Sequence, residues 1–283
     1  MDGFMAAVDR GHFAVENPFN GRRSIVTADP DRVAAIVFWS KNYGPFLDGG
    51  YGEALRRKGF RLFFNFSVNG PPSRLEPNLP ALSERLGQMT RLCDTFGAEA
   101  VQWRFDPICF WAKAGGPPGN NLEPFPDIAA HAGGLGVPRC VTSFVDIYPK
   151  VRRRMAAAGR FELVDPPEGP KVEVLGRMAS ALAPWRVELA LCCEKELLDR
   201  LPPGLGVVAG ACVPGPWLRT RLGADAPLTR DRGQRIRAGC GCTASTDVGS
   251  YRRHPCPHRC GYCYANPGGG GPPRTLRDRR IPP

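Results

Sequence analysis

Residues 240–266 read CGCTASTDVGSYRRHPCPHRCGYCYAN, and five of the chain's eleven cysteines fall within that stretch. Cys256, Cys260 and Cys263 stand in the pattern C-x3-C-x2-C, with an aromatic residue, Tyr262, just before the last of them. Three thiolates on one tight loop can ligate three irons of a cubane iron–sulfur cluster and leave the fourth iron without a protein ligand. Such an open corner can bind a small molecule and pass it an electron. Two other chemistries fit the same residues. A structural zinc site could draw on the cysteines with His254 and His258, although zinc ribbons favour paired C-x2-C knuckles and only one such pair is present. An electron-transfer cluster with four protein ligands could take its fourth thiolate from Cys240 or Cys242. These two cysteines could equally pack beneath the loop or form a redox pair. The histidines could tune a cluster by hydrogen bonding or simply face solvent.

The other cysteines (Cys93, Cys109, Cys140, Cys192, Cys193 and Cys212) are scattered, mostly beside apolar runs. An odd total argues against a complete disulfide framework. The N-terminus MDGFMAAVDRGHF carries acidic residues where a signal peptide would have an apolar core. No stretch approaches the ~18 apolar residues of a membrane span, so a cytoplasmic protein without membrane attachment is expected. Net charge is +11 and the isoelectric point is near 9.4. The basic residues are mostly arginines spread along the whole chain, not a stripe interleaved with aromatics. Compositional bias accounts for them, and a nucleic-acid partner is not expected.

What must position the cysteines is a series of short apolar runs: 33–42, 60–70, 99–108, 139–148, 186–194 and 206–213. Each is continuous and apolar, as parallel strands covered on both faces are. Helical spacing of Leu82, Leu86, Met89 and Leu92 predicts a helix over about 81–96, and a second is predicted over about 172–183. Repeated βα units of this kind predict an α/β fold, a partial (β/α) TIM-like barrel of about six parallel strands. Segments 114–126 and 165–170 read as loops, and the Gly/Pro/Arg-rich tail 267–283 as disordered. The expected organisation is a barrel domain over 1–238, a cluster-binding segment over 239–266 and the tail.

Polar residues gather where the strands end. Lys41 and Asn42 end the first, and Asn69 follows the second, with Glu76 and Asn78 in its loop. Arg104 and Asp106 end the third, Ser143 and Asp146 the fourth with Tyr148 and Lys150 just after, and Glu194 the fifth. In a parallel barrel this rim is where ligands bind. Lys41, Arg104, Asp106, Asp146, Lys150 and Glu194 are therefore the catalytic candidates, and Asn42, Glu76, Asn78 and Tyr262 the candidates for holding a cofactor. Lys41 and Arg104 suit a carboxylate or phosphate, and Asp106 or Glu194 ribose hydroxyls or an amine.

Several pieces together (NPFN at 17–20, VFWSKN at 37–42, LEPNLP at 75–80, WRFDPI at 103–108, SFVDIYPK at 143–150 and the cysteine stretch) resemble the family called domain of unknown function eighteen-forty-eight, from about residue 13 to 266. The C-x3-C-x2-C spacing with its aromatic also resembles the signature of radical S-adenosylmethionine proteins. There the open iron is chelated by the amino and carboxylate groups of that cofactor, and an electron from the cluster cleaves its sulfonium. The resemblance implies a 4Fe-4S cluster on Cys256, Cys260 and Cys263, S-adenosylmethionine as a second cofactor, a small-molecule substrate and an electron donor. Tyr262 would lie near the adenine or shield the cluster. The cluster loop stands at the C-terminus instead of the N-terminus, which a circularly permuted barrel explains. This chain departs from the resemblance in two ways. Family members usually begin with an additional strand bearing an Arg-Thr-Asp-like segment, whereas this chain starts at what reads as the following helix, which implies a truncated or misassigned start. It also has no Gly-Gly-Glu segment of the kind that binds the cofactor's amino group. The leading expectation is a radical S-adenosylmethionine-type enzyme. The alternatives are a non-enzymatic iron–sulfur protein that carries electrons or senses redox state, and a zinc-stabilised binding domain.

Overall fold

The computed structural model describes residues 1–17, 21–112, 119–157, 162–233, 235–250, 255–263 and 265. The chain opens on helix α1 (Asp2–Asp9) and an antiparallel hairpin of β1 (His12–Glu16) and β2 (Arg23–Thr27). Strand β3 (Ile36–Ser40) leads through α2 (Gly44–Asp48) and α3 (Tyr51–Arg57) to β4 (Leu62–Ser67), and α4 (Leu82–Phe96) leads on to β5 (Val101–Ile108). Short strands β6 (Phe110–Ala112) and β7 (Gly119–Asn120) precede α5 (Phe125–Gly134) and β8 (Arg139–Phe144). Next come α6 (Pro149–Ala157) and β9 (Glu162–Val164), which pairs with β6 beside β7 in a small antiparallel sheet. Helix α7 (Glu168–Leu182) returns to β10 (Glu188–Leu191), α8 (Lys195–Arg200) to β11 (Val207–Ala209), and α9 (Gly215–Leu222) follows.

The main sheet has six parallel strands in the order β11-β10-β8-β5-β4-β3. Each strand lies beside the one that precedes it in the winding. That is the order of a (β/α) barrel, whereas a doubly wound sheet reverses at a switch point. The fold is α/β, and its six strands fall within the six apolar runs. Helix α7 begins at Glu168, earlier than its apolar spacing suggests. Pro167 caps it and Pro170 lies in its first turn, where a missing N–H removes no helical hydrogen bond. The expected loop at 114–126 is likewise shorter, because α5 starts at Phe125; residues 113–118 and the tail 267–283 lie outside the described residues.

Alternation along the strands divides the core. Leu62, Phe64 and Phe66 of β4, Val101, Trp103 and Phe105 of β5, and Leu189 and Leu191 of β10 join one large cluster with Met89 and Leu92 of α4, Ile128 of α5 and Leu175 and Met178 of α7. The opposite face carries Phe63 with Val213, Cys240 and Cys242, and Val141 with Ala190 and Cys192. Chain that follows β11 therefore covers the face the helices leave open. Two amides on β4 and β5 fasten it: Gln102 Nε2 donates to Asn65 Oδ1 at 2.7 Å and to the Ala211 carbonyl at 3.0 Å, and Asn65 Nδ2 donates to the Cys212 carbonyl at 2.9 Å. Among the described residues no helix is long and apolar enough to cross a membrane.

Candidate metal centre

The loop bearing Cys256, Cys260 and Cys263 is stitched onto the segment that follows β4. Gly261 N–H donates to the Leu75 carbonyl at 2.7 Å, Asn78 Nδ2 donates to the Pro257 carbonyl at 3.0 Å, and the His258 ring lies 3.2 Å from the Asn78 carbonyl. From the far side, Arg154 of α6 donates to the Gly261 and Cys263 carbonyls at 2.7 and 3.0 Å. A side chain at position 261 would bring its Cβ to 2.9 Å from Met155 Sδ, so glycine lets the loop approach α6 this closely. Cys260 is buried, Cys263 half-buried and Cys256 exposed. Cys260 and Tyr262 pack with Leu75, Cys109, Val151 and Met155.

Beneath the loop lies a buried polar knot. Glu76 is 3 % exposed. Its Oε1 receives the Tyr262 hydroxyl, Lys41 Nζ at 2.8 Å and Asn69 Nδ2 at 3.1 Å. Burial alone would raise the Glu76 carboxyl; Lys41, the Tyr262 hydroxyl and Arg85 outweigh it and hold the carboxyl below its ordinary value. Lys41 also stands 5.6 Å from the centre of the Tyr262 ring. Burial raises the Tyr262 phenol well above its usual value, so it stays a hydroxyl donor. Arg85, fully buried in α4, gives hydrogen bonds to the Pro80 and Gly70 carbonyls, and its Nη1 has no hydrogen-bond partner among the described residues. Its charge interacts with Glu76, Tyr262 and Cys260. Burial pushes the Cys260 thiol up to about 12, with Lys41 pulling the other way.

The knot continues to the end of β5. The Asp106 carbonyl accepts from Asn69 Nδ2 at 3.1 Å and Lys41 Nζ at 3.4 Å. The Asp106 carboxylate accepts from Arg104 and from the Ser143 hydroxyl, each at 2.5 Å. Arg104 reaches on to Cys212 Sγ at 2.8 Å.

The rim residues expected from sequence thus fall into two neighbourhoods. Lys41, Glu76, Asn78, Asp106 and Tyr262 gather under or beside the cysteine loop, and Arg104, bound to Asp106, turns away to Cys212. Asp146 and Glu194 line a separate cavity of about 310 Å³ with Phe144, Val145, Ile147, Arg152, Asp165 and Lys171. Asp146 pairs with Arg235, and Glu194 Oε1 accepts the Phe144 N–H at 3.1 Å while burial raises its carboxyl. Lys150 is exposed on α6. Asn42 turns inward: its Oδ1 accepts from Gly44 N–H and Gln88 Nε2, each at 2.9 Å, which shapes the entry to α2. Arg104, read from sequence as an anion binder, is already engaged by Asp106 and Cys212. His254 lies outside the described residues.

Sequence reasoning missed one grouping. Cys192 and Cys193 follow β10, Cys212 follows β11, and these meet Cys240 and Cys242. The five sulfurs form a ring of contacts: Cys192 to Cys193 at 3.7 Å, Cys192 to Cys212 at 4.0 Å, Cys212 to Cys242, Cys242 to Cys240, and Cys240 to Cys193. Part of a signal was present, since Cys192, Cys193 and Cys212 follow adjacent parallel strands, but nothing in the sequence pattern brings Cys240 and Cys242 back to them. Cys240 and Cys242 belong to this ring, among residues different from those that pack around Cys260. Among the described residues, no group of three or more His, Cys, Asp or Glu side chains is placed, as it stands, to hold a metal ion.

One protein-family model matches residues 1–265. The chain belongs to the family described as Domain of unknown function (DUF1848). The matched span begins ahead of the sequence motifs, which start near residue 17, and takes in both groups of cysteines. No curated protein and no solved structure matches this DUF1848 chain.

Proposed function

We propose that this DUF1848 chain is an iron–sulfur protein of radical S-adenosylmethionine type, with Cys256, Cys260 and Cys263 as the cluster ligands. The observation that carries the reading is the seating of the cysteine loop on the strand-end rim, over Lys41, Glu76, Asn69 and Asp106. The donor set fits: three thiols on one loop, and two cations, half-buried Lys41 and buried Arg85, to offset thiolate charge. Arg85 Nη1, without a hydrogen-bond partner among the described residues, is a buried donor that favours negative charge nearby.

When bound, the cluster and S-adenosylmethionine supply radical chemistry that amino-acid side chains lack. The chain's own residues hold and shield. The Tyr262 hydroxyl on Glu76 fixes the loop, and Arg154 fixes its carbonyls. Lys41 and Arg85 keep the surroundings positive, and Leu75, Val151 and Met155 exclude water from the Cys260 side. In the neighbouring cavity, Lys171 and Arg152 suit a carboxylate, and Asp146 and Glu194 an amine or hydroxyls, of a small-molecule cofactor or substrate. Asp106 and Lys150 remain candidates at the rim. The partner this reading requires is an electron donor. On the same reading, residues 239–266 are a cluster-binding segment appended to a barrel over 1–238.

Cysteine variants purified without oxygen test the ligand set. Cys263→Ala should lose iron, acid-labile sulfide and brown colour, whereas Cys242→Ala should keep them. Full iron and sulfide in Cys263→Ala, or their loss in Cys242→Ala, would remove the proposed ligand set.

A further inference from the structure

We infer that Cys192, Cys193, Cys212, Cys240 and Cys242 form a second metal site, in which four of the five thiolates take one zinc ion. The inference goes beyond the cluster proposed for Cys256, Cys260 and Cys263, and it does not depend on it. Its first support is spacing. Four thiolates at about 2.3 Å from one tetrahedral zinc lie about 3.8 Å from one another. Cys192 Sγ is 3.7 Å from Cys193 Sγ and 4.0 Å from Cys212 Sγ. A cubane cluster sets its thiolates on separate irons and needs them farther apart, whereas these sulfurs are in contact. The contacts are those of a thiol ring; binding of one ion replaces four S–H protons, which leave to solvent, and draws four of the five sulfurs to a common centre.

The second support is the shell around the ring. Cys242 Sγ accepts the backbone N–H groups of Cys212 at 3.2 Å and Val213 at 3.4 Å, and Arg104 Nη1 donates to Cys212 Sγ at 2.8 Å. Donors aimed at sulfur stabilise thiolate and orient it. Zinc with four thiolates carries a net charge of about −2, and Arg104, 7 % exposed, offsets part of it within the core.

The third support is backbone given over to convergence. Cys193 has φ of +59°, a conformation side-chain-bearing residues rarely adopt, and it bends the chain where consecutive cysteines bring their sulfurs into contact. Gly241, between Cys240 and Cys242, passes so close to β11's exit that a Cβ there would lie 2.8 Å from the Gly210 carbonyl oxygen. Three chain segments that are far apart in sequence are thus pressed together at their cysteines, as a structural metal would staple them.

The test separates the two sites. The triple variant Cys256→Ala/Cys260→Ala/Cys263→Ala, purified without chelator, should hold one zinc per chain and no sulfide. Zinc-edge X-ray absorption should show four sulfur neighbours at about 2.3 Å. Wild-type protein should give the same zinc spectrum whatever its iron content, which keeps the test valid if the variant folds poorly. Adding Cys212→Ala and Cys242→Ala should abolish the zinc. A zinc-free protein, a disulfide among the five cysteines, iron in zinc's place, or zinc bound by nitrogen and oxygen would each overturn the inference.

Discussion

Tyr262 donates its hydroxyl to Glu76, a residue 186 positions earlier in the chain, and this buried bond is one of those that tie the cysteine loop's side chains to the rim of the sheet. The sequence distance matters physically. The loop carries the sulfurs and the segment after β4 carries the charges that would answer them, and the bond holds the two in one place. Tyr262 therefore acts as a strut, where sequence alone gave it the role of a cover over cofactor or cluster.

Removing that strut should loosen the loop. Tyr262→Phe keeps the buried ring and loses a hydrogen bond to a charged acceptor, so a loss of about 1.5–3 kcal/mol in urea unfolding is expected. Cys260 in the variant should also react faster with a thiol reagent in anaerobic, metal-stripped protein. Unchanged stability together with unchanged Cys260 reactivity would mean that the bond does not hold the loop.

Lys41 and Glu76 should behave as a coupled pair. Lys41→Met strands a carboxylate that is nearly fully buried, and breaking such a pair from one side costs about 3–5 kcal/mol. Glu76→Gln in the same chain should recover much of that loss. Additive single effects in this double-mutant cycle would show that the 2.8 Å contact carries no coupling.

The pH dependence follows from the same carboxylate. The folded state holds Glu76 below its ordinary value of 4.5. Its stabilisation is therefore fully present above that value and is lost as pH falls through the lower folded value. Acid unfolding of the wild type should steepen below pH 4.5, and Glu76→Gln should flatten the profile in that window alone. Identical acid profiles would assign the folded state's acid sensitivity to other groups.

Arg104 links Asp106 on one side to Cys212 of the five-sulfur ring on the other. Arg104→Lys keeps the charge and loses the planar fork that reaches both partners at once. The expected result is a destabilisation of about 1–2 kcal/mol with faster alkylation of Cys212. A lysine variant that matches the wild type in both measurements would show that charge alone suffices at this position.

The sequence shows the sheet readily because its inner strands are buried on both faces and each of the six strands falls in a continuous apolar run. β4, Leu62–Ser67, is the plainest case. The convergence of Lys41, Glu76, Arg104 and Asp106 was legible for a related reason: parallel strands deliver their C-terminal ends to one rim. Three things were not legible. The inward turn of Asn42 depends on Gln88, a long-range partner on α4. The engagement of Arg104 depends on Cys212, 108 residues away. The five-sulfur ring depends on chain after β11 folding back over the open face of the sheet, and periodicity within strands carries no trace of that path.

The most direct test of the central claim is to purify the wild-type protein without oxygen, measure iron and acid-labile sulfide, and record the electron paramagnetic resonance spectrum of the reduced protein as S-adenosylmethionine is added. A cluster with one open corner should give about four irons and four sulfides per chain, and a spectrum that changes as the small molecule reaches that iron. A protein without iron or sulfide, or a cluster whose spectrum is indifferent to S-adenosylmethionine and yields no cleavage product, would contradict the claim.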